Sequence, residues 1–195
     1  MKLSMPSVGA LVLVGMAVLG PGAPDAIAED HAYVGSKKCK MCHLKQFKSW
    51  SETKMAKAFD VLKPGERAEQ KQAAGLDADT DYTKDATCVA CHTTGHGKPG
   101  GFVDFESTPN LAGVGCEVCH GPGGTYVKPE HMSLKNKEYE KAAIVAVGLV
   151  EQVTEAQCKV CHNTESPFVG DDYVFDFAAT KTEGTHETYP LKYEH

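Results

Sequence analysis

Four copies of the pattern Cys-x-x-Cys-His constrain this chain more than any other feature of its sequence. The 195 residues include eight Cys and nine His, and at these frequencies chance alone would produce about 0.015 copies. The copies occupy residues 39–43, 88–92, 116–120 and 158–162, and they use every cysteine of the chain. This spacing is typical of covalent c-type haem attachment.

In each motif the two cysteines are expected to bond to the haem, and the adjacent histidine is expected to coordinate the iron. We therefore predict four haem c groups, each with one iron. The predicted attachment residues are Cys39, Cys42, Cys88, Cys91, Cys116, Cys119, Cys158 and Cys161, and the predicted proximal iron ligands are His43, His92, His120 and His162. Zinc sites and a disulfide framework are the alternatives, but neither explains a histidine after every pair.

The first 28 residues have the pattern of a secretory signal peptide. Lys2 supplies a positive start, an apolar run covers residues 8–19, and residues 26–28 read Ala-Ile-Ala, a suitable cleavage site. The run has 12 residues, short of the roughly 20 that a membrane-spanning helix needs, although an uncleaved anchor is the alternative. We expect residues 1–28 to be a signal peptide, residues 29–195 to form one tetrahaem domain, and the protein to be periplasmic.

The mature chain is too short for an ordinary apolar core around four cofactors, since about 42 residues serve each haem. The expected fold is therefore mainly α with extensive irregular loops, a compact multihaem c-type cytochrome in which four covalent haems form much of the core. The patterns predict an amphipathic helix over residues 44–62 with a break near Ser51, and short helices over 70–78 and 135–150. Residues 101–106 could form a strand, while 92–101 and 121–124 should be loops.

The formal charge of −6 argues against a nucleic-acid partner and favours docking to basic patches on redox proteins. The expected partners are a multihaem oxidoreductase as donor and a membrane quinone-linked system or another cytochrome as acceptor. No stable membrane span is expected once the leader is removed.

Several short stretches resemble the tetrahaem cytochrome c-554 family known from nitrifying bacteria. They are Ser49-Trp50 followed by Thr53 and Ala56-Lys57-Ala58, residues 81–85 (Asp-Tyr-Thr-Lys-Asp) before the second motif, residues 113–115 (Gly-Val-Gly) before the third, and residues 121–123 (Gly-Pro-Gly) after it. The resemblance covers roughly residues 37–167 and is weaker beyond.

The resemblance implies a mostly helical fold with closely stacked haem pairs and a second haem that lacks a distal protein ligand. It implies that His131 is the distal ligand of the first haem and that His186 completes the fourth. At the third haem the family's distal histidine, in the Trp-containing helix, is replaced by Met55. A thioether ligand would raise the potential of that haem, but a methionine that only fills space is the alternative.

Three further histidines bear on the second haem, whose iron would be open with His92 as its sole axial ligand. His96, or a terminal histidine of a neighbouring subunit, could close it. His31 and His195 lie near the chain ends, where a histidine is usually solvated.

Three functions fit these features. The first is a periplasmic electron carrier between redox partners, with no catalytic residues of its own. The second is an enzyme that converts a small nitrogen compound such as nitric oxide at the second haem, although no acid or base can be assigned beside that iron. The third is a haem filament built by histidines shared between subunits.

Overall fold

The structure is a computed structural model that describes residues 31–182 and 184–191. The predicted signal peptide therefore lies outside the described residues, as does His195. Within the described ranges no helix is both long enough and apolar enough to cross a membrane.

Short helices joined by turns make up the described chain. The α-helices are α1 (Ser36–Cys39), α2 (Leu44–Ser51), α3 (Ala68–Ala73), α4 (Ala86–His92), α5 (Cys116–His120), α6 (Lys141–Ala146), α7 (Glu155–Lys159) and α8 (Phe177–Thr180), with 3-10 turns at Asp60–Leu62 and Pro109–Leu111. An isolated antiparallel bridge joins Thr93 to Ala112. Helices of four to eight residues are marginal in water, so tertiary contacts must hold them.

Side-chain caps begin three of these helices. Asp85 accepts hydrogen bonds from the backbone N–H groups of Thr87 and Cys88 at the start of α4. Thr154 and Gln157 form a capping box at the start of α7, and the Asp176 side chain accepts from Ala179 in α8. Such caps satisfy N–H groups that the helix itself leaves unpaired.

A small apolar cluster lies behind the second motif. Its fully buried members are Phe59, Leu62, Val89, Phe102 and Leu111, and Cys88 packs against it. The cluster is small for a chain of this length, which agrees with the expectation that bound cofactors supply part of the core. Much of the interior of the protein therefore depends on groups other than apolar side chains.

The predicted fold class, mainly α with extensive irregular loops, is confirmed, but several local predictions need correction. The helix expected over 44–62 ends at Ser51, where the pattern breaks, and only a 3-10 turn follows at its far end. The helices expected over 70–78 and 135–150 shorten to six residues each, α3 and α6.

The strand considered for residues 101–106 is wrong. Residues 102–104 have no regular secondary structure, and residues 105 and 106 lie in a turn. The backbone N–H of Phe102 donates to the carbonyl oxygen of Thr94 at 3.0 Å, but no strand pairing extends from this bond in the described residues. The loops expected at 92–101 and 121–124 are confirmed. Gly121 has φ 79° and ψ 162°, a conformation that is almost restricted to glycine.

Candidate haem-attachment site

Each motif lies on one or two of the short helices, and the helix spacing orients its three side chains. The second and third motifs fall within α4 and α5, the fourth begins in α7, and the first joins the end of α1 to the start of α2. On a helix, side chains three and four positions apart share one face. Both cysteines and the histidine of a motif can therefore reach one bound group.

All eight cysteines are free thiols in the structure, so none is used in a disulfide. Seven are partly buried and Cys42 is exposed. Free, partly buried thiols beside a histidine suit thioether attachment. Structural zinc sites would need clusters of four ligands, whereas the described residues contain no group of even three Cys, His, Asp or Glu side chains that could hold a metal ion.

The first and third motifs are in direct contact. The Cys39 thiol hydrogen-bonds to Cys116, and this bond raises the pKa of Cys39 and lowers the pKa of Cys116, because the donor keeps its proton and the acceptor gains a partner for its thiolate. The Ser36 hydroxyl oxygen, at the start of α1, accepts the backbone N–H of Cys116 at 3.1 Å. The first and third motifs therefore lie side by side in the structure.

Contacts also link the fourth motif to the second and the third. The Cys161 thiol has Cys91 as a hydrogen-bonding neighbour, and burial, with Cys91 as a lesser cause, raises the pKa of Cys161 to about 12. The Gln157 side-chain amide donates to the carbonyl oxygen of Cys119 at 3.3 Å. The motifs therefore form one connected series in the order first, third, fourth, second.

His43 and His120 carry their rings in partly buried positions. Burial lowers the pKa of both histidines, with the nearby His186 as a further cause. A lowered pKa favours the neutral imidazole, which is the form that donates a lone pair to a metal ion.

The chain end brings His186 to the third motif. The backbone N–H of Glu187 donates to Ser49 Oγ on α2 at 2.8 Å, and the His186 ring centre lies 6.1 Å from that of His120. Two imidazoles on opposite sides of one metal ion would have centres about 6 Å apart, because each metal–nitrogen bond is about 2 Å and each ring centre lies about 1 Å further out. His120 and His186 would therefore both be within reach of one iron bound between them.

The resemblance implied that His186 completes the fourth haem, and that assignment stays a prediction. In the structure the fourth motif's own histidine, His162, is exposed and its ring lies against Phe175, with ring centres 4.7 Å apart. The contact between Glu187 and Ser49 joins positions 138 residues apart, which local sequence patterns cannot pair.

The second motif shows how a ligand histidine is oriented. His92 Nδ1 lies 2.6 Å from the carbonyl oxygen of Ala58. Because a carbonyl only accepts, Nδ1 must carry the proton, which leaves Nε2 with its lone pair free. Ligand histidines commonly donate their other ring N–H to a backbone carbonyl in this way, which fixes both tautomer and ring angle.

Met55, the candidate ligand of the third haem, follows α2 in a turn and is not part of the helix. Its carbonyl oxygen accepts the N–H of Val114, two residues before the third motif, at 2.9 Å. Its terminal methyl lies near Gly184, at 4.0 Å from where a Cβ on that glycine would be. Met55 and His186 therefore both lie beside the third motif.

His131, the candidate ligand of the first haem, is partly buried in a turn. Its backbone N–H donates to the carbonyl oxygen of Lys128 at 3.0 Å. His31 differs from the solvated histidine expected near a chain end, since its Nδ1 is buried without a hydrogen-bond partner. His96 Nδ1 has the same property. A buried polar atom without a hydrogen-bond partner lowers the stability of a protein. The propionate groups of a bound haem could supply partners for such atoms.

Sequence reasoning missed Glu117, a variable position of the third motif. Its side chain is only 2% exposed, and its carboxylate accepts the backbone N–H groups of Val34 at 2.9 Å, Gly35 at 2.7 Å and Gly123 at 2.7 Å. The carboxylate therefore ties the segment before the first motif to the third. No local signal marks it, because motif position alone does not distinguish a buried carboxylate from an exposed one.

These observations together fit c-type haem. The motif residues offer free thiols, imidazoles whose pKa burial lowers at His43 and His120, and an oriented ring nitrogen at His92, and His120 and His186 would both be within reach of one iron.

Comparison with known proteins agrees with this chemistry. The family model described as cytochrome c554 and c-prime matches residues 38–121. Cytochrome c-554 of Nitrosomonas europaea is 35% identical over 201 aligned residues, covering 92% of this chain and 86% of that protein. The solved structure of the reduced state of cytochrome c554 from Nitrosomonas europaea superposes with a TM-score of 0.74 at 36% identity, covering 85% of this chain and 91% of that one. This chain therefore belongs to the cytochrome c-554 family, as a c-type cytochrome with covalently attached haem and a role in electron transfer.

Proposed function

We propose that the protein is exported to the periplasm, binds four haem c groups and passes electrons between redox partner proteins. The observation that carries this proposal is the connected series of motifs, in which Cys39 contacts Cys116 and Cys161 contacts Cys91. Each bound haem supplies one iron that accepts or releases a single electron. A chain that holds its attachment residues in contact keeps such centres close, which favours fast transfer between them.

Different residues of the chain would attach the haem groups and bind their irons. The eight motif cysteines would form the covalent bonds, and His43, His92, His120 and His162 would be the proximal ligands. At the second motif the Ala58 carbonyl holds His92 in the tautomer that leaves Nε2 free. Burial keeps His43 and His120 neutral and therefore able to bind iron.

For the distal ligand at the third motif we propose His186, with Met55 as the neighbouring space-filling side chain. The support is the 6.1 Å separation of the His120 and His186 ring centres and the hydrogen bond that anchors Glu187 to Ser49. His131 is proposed for the first haem on the family resemblance. At the second motif we propose that His92 is the sole axial ligand.

The domain assignment follows from the export proposal. Residues 1–28 would be removed as a signal peptide and residues 29–195 would form the tetrahaem domain. The expected partners are a multihaem oxidoreductase as donor and a quinone-linked or cytochrome acceptor.

Intact-mass measurement of the mature holoprotein, combined with a redox titration, tests this proposal. We expect the mass of residues 29–195 plus four haem groups, and reversible one-electron steps that account for four irons. Replacing both cysteines of the fourth motif, Cys158→Ala and Cys161→Ala, should lower the count to three. A mass with fewer haems in the unmodified chain, or haems that cannot be reoxidised after reduction, would contradict the proposal.

A further inference from the structure

The surface around the first motif has a charge opposite to that of the whole protein. Between residues 37 and 48 five of the side chains are lysine and none is acidic, whereas the complete chain has a net charge of −6. The rest of the chain therefore carries a net charge of −11. The five lysines, all exposed, are Lys37, Lys38, Lys40, Lys45 and Lys48.

Among the described residues, none of these five lysines has an acidic side chain at ion-pair distance. In the described part of the chain the nearest ion pair along the sequence joins Lys57 to Glu52, outside this stretch. Lys40 and Lys45 instead lie over the rings of Phe47 and Tyr189, at 5.2 and 5.9 Å from the ring centres. Ring contacts of this kind leave the positive charge in place, so the five charges remain available to a partner.

Two exposed apolar side chains lie among the lysines. Met41, inside the first motif, is 73% exposed, and Leu44, the first residue of α2, is 45% exposed. Leu44 and Lys48 are four positions apart on α2 and therefore share a face. An apolar centre with a charged rim is the usual composition of a protein–protein interface.

The same surface contains the most accessible attachment residue. Cys42 is exposed, whereas the other seven cysteines are partly buried. The covalent bond predicted at Cys42 would therefore lie at the protein surface. A partner seated on Met41 and Leu44 would approach that bond closely, and electron transfer is fastest over short distances.

We propose that this lysine-rimmed face, formed by the exposed side chains of residues 37–48, is a docking surface for a redox protein with an acidic patch. The proposal rests on the electron-carrier function above and names the partner class for one end of the motif series. The exchange is a single electron: the partner's centre is oxidised by one electron as one ferric haem iron becomes ferrous, or the reverse. The negative charge lies on the rest of the surface, where it would repel a partner with an acidic patch.

Stopped-flow reduction of the fully oxidised holoprotein by a reduced, acidic plant-type ferredoxin tests the proposal. The variant carries Lys38→Glu and Lys48→Glu. The matched control carries Lys135→Glu and Lys137→Glu, which change the net charge equally at two exposed lysines of another segment. At low ionic strength we expect about tenfold slower bimolecular reduction of the first variant and less than a twofold change in the control, since steering acts through local charge.

The difference between variant and control should vanish at about 1 M salt, where charges are screened over a few ångströms. Equal slowing of the two variants would mean that only net charge matters. No slowing of either variant would mean that the ferredoxin uses another surface. Either result would overturn the proposal.

Dithionite reduction of all three proteins separates a failure of the docking surface from a failure of the electron-carrier function. Haems that dithionite cannot reversibly reduce would contradict the carrier function, irrespective of the docking surface.

Discussion

The carboxylate of Glu117 accepts the backbone N–H of Gly35 at 2.7 Å, across 82 positions of the chain. The same carboxylate also accepts the N–H groups of Val34 and Gly123. A buried charge is tolerated where hydrogen bonds replace its water, and here three of them do so. This one side chain therefore joins the segment before the first motif, the third motif and the loop after it.

Replacing this carboxylate should weaken the holoprotein. In a Glu117→Gln variant the amide NH₂ would face a backbone N–H that now has no acceptor, and we expect a loss of about 1–3 kcal/mol in the free energy of unfolding. Removal of a buried negative charge should also raise the midpoint potential of the nearest haem, because the ferric form loses a stabilising anion. Denaturant unfolding and spectroelectrochemical titration measure the two effects. Glu165→Gln, at an exposed side chain, is the control and should change neither.

The ligand assignment at the third motif predicts different outcomes for two neighbouring substitutions. Because the ring centres of His186 and His120 are 6.1 Å apart and we propose that both bind one iron, His186→Ala should convert one low-spin haem to high spin in the electron paramagnetic resonance spectrum of the oxidised protein. Met55→Ala should leave the number of low-spin haems unchanged. Because Met55 is only partly buried, its loss should cost less than the roughly 2–5 kcal/mol of a fully buried methionine. The opposite result, with Met55→Ala producing the high-spin signal and His186→Ala none, would assign the thioether as the ligand.

The unmodified protein should contain one high-spin haem, at the second motif. The Ala58 carbonyl oxygen accepts the Nδ1 proton of His92, which leaves Nε2 of that ring free to bind iron. His96 lies in the following turn, with its ring centre 6.4 Å from that of Phe102 in the apolar cluster. Electron paramagnetic resonance before and after addition of nitric oxide should show a single high-spin centre that binds the ligand. Four low-spin haems would remove both the open iron and the alternative of catalysis on a small nitrogen compound.

Gly121, directly after the third motif, should not accept a side chain. It has φ 79° and ψ 162°, and a Cβ there would lie 2.4 Å from the carbonyl oxygen of Gly148. A Gly121→Ala variant must therefore shift the backbone and disturb the bond from the Val150 N–H to the His120 carbonyl oxygen, which is 3.0 Å long. We expect a loss of more than about 2 kcal/mol in the free energy of unfolding.

Gly65→Ala is the matched control for that substitution. Gly65 also has a positive φ, 75°, but nothing lies within 4 Å of an added Cβ. The control should lose about 1–2 kcal/mol from backbone strain alone. Equal losses in the two variants, measured by denaturant unfolding of the holoproteins, would show that the contact with Gly148 contributes nothing.

The sequence alone was enough for the chemistry of attachment and for the fold class. Four motifs with fixed internal spacing specify cysteine and histidine positions locally, since a thioether pair and its ligand lie within one helical turn. The loop at 121–124 and the end of α2 at Ser51 were also predictable, because glycine and a break in apolar periodicity act within a few residues.

Only the tertiary structure decided which motifs contact one another and which histidines lie near each motif. The contacts of Cys39 with Cys116, Cys91 with Cys161, and Ser49 with Glu187 join positions between 70 and 138 residues apart. No local pattern encodes such contacts, because they depend on how short helices, each too weak to form alone, settle against one another. The net charge of the sequence likewise did not indicate a basic surface at the first motif, because a net charge does not show where individual charges lie on the folded protein.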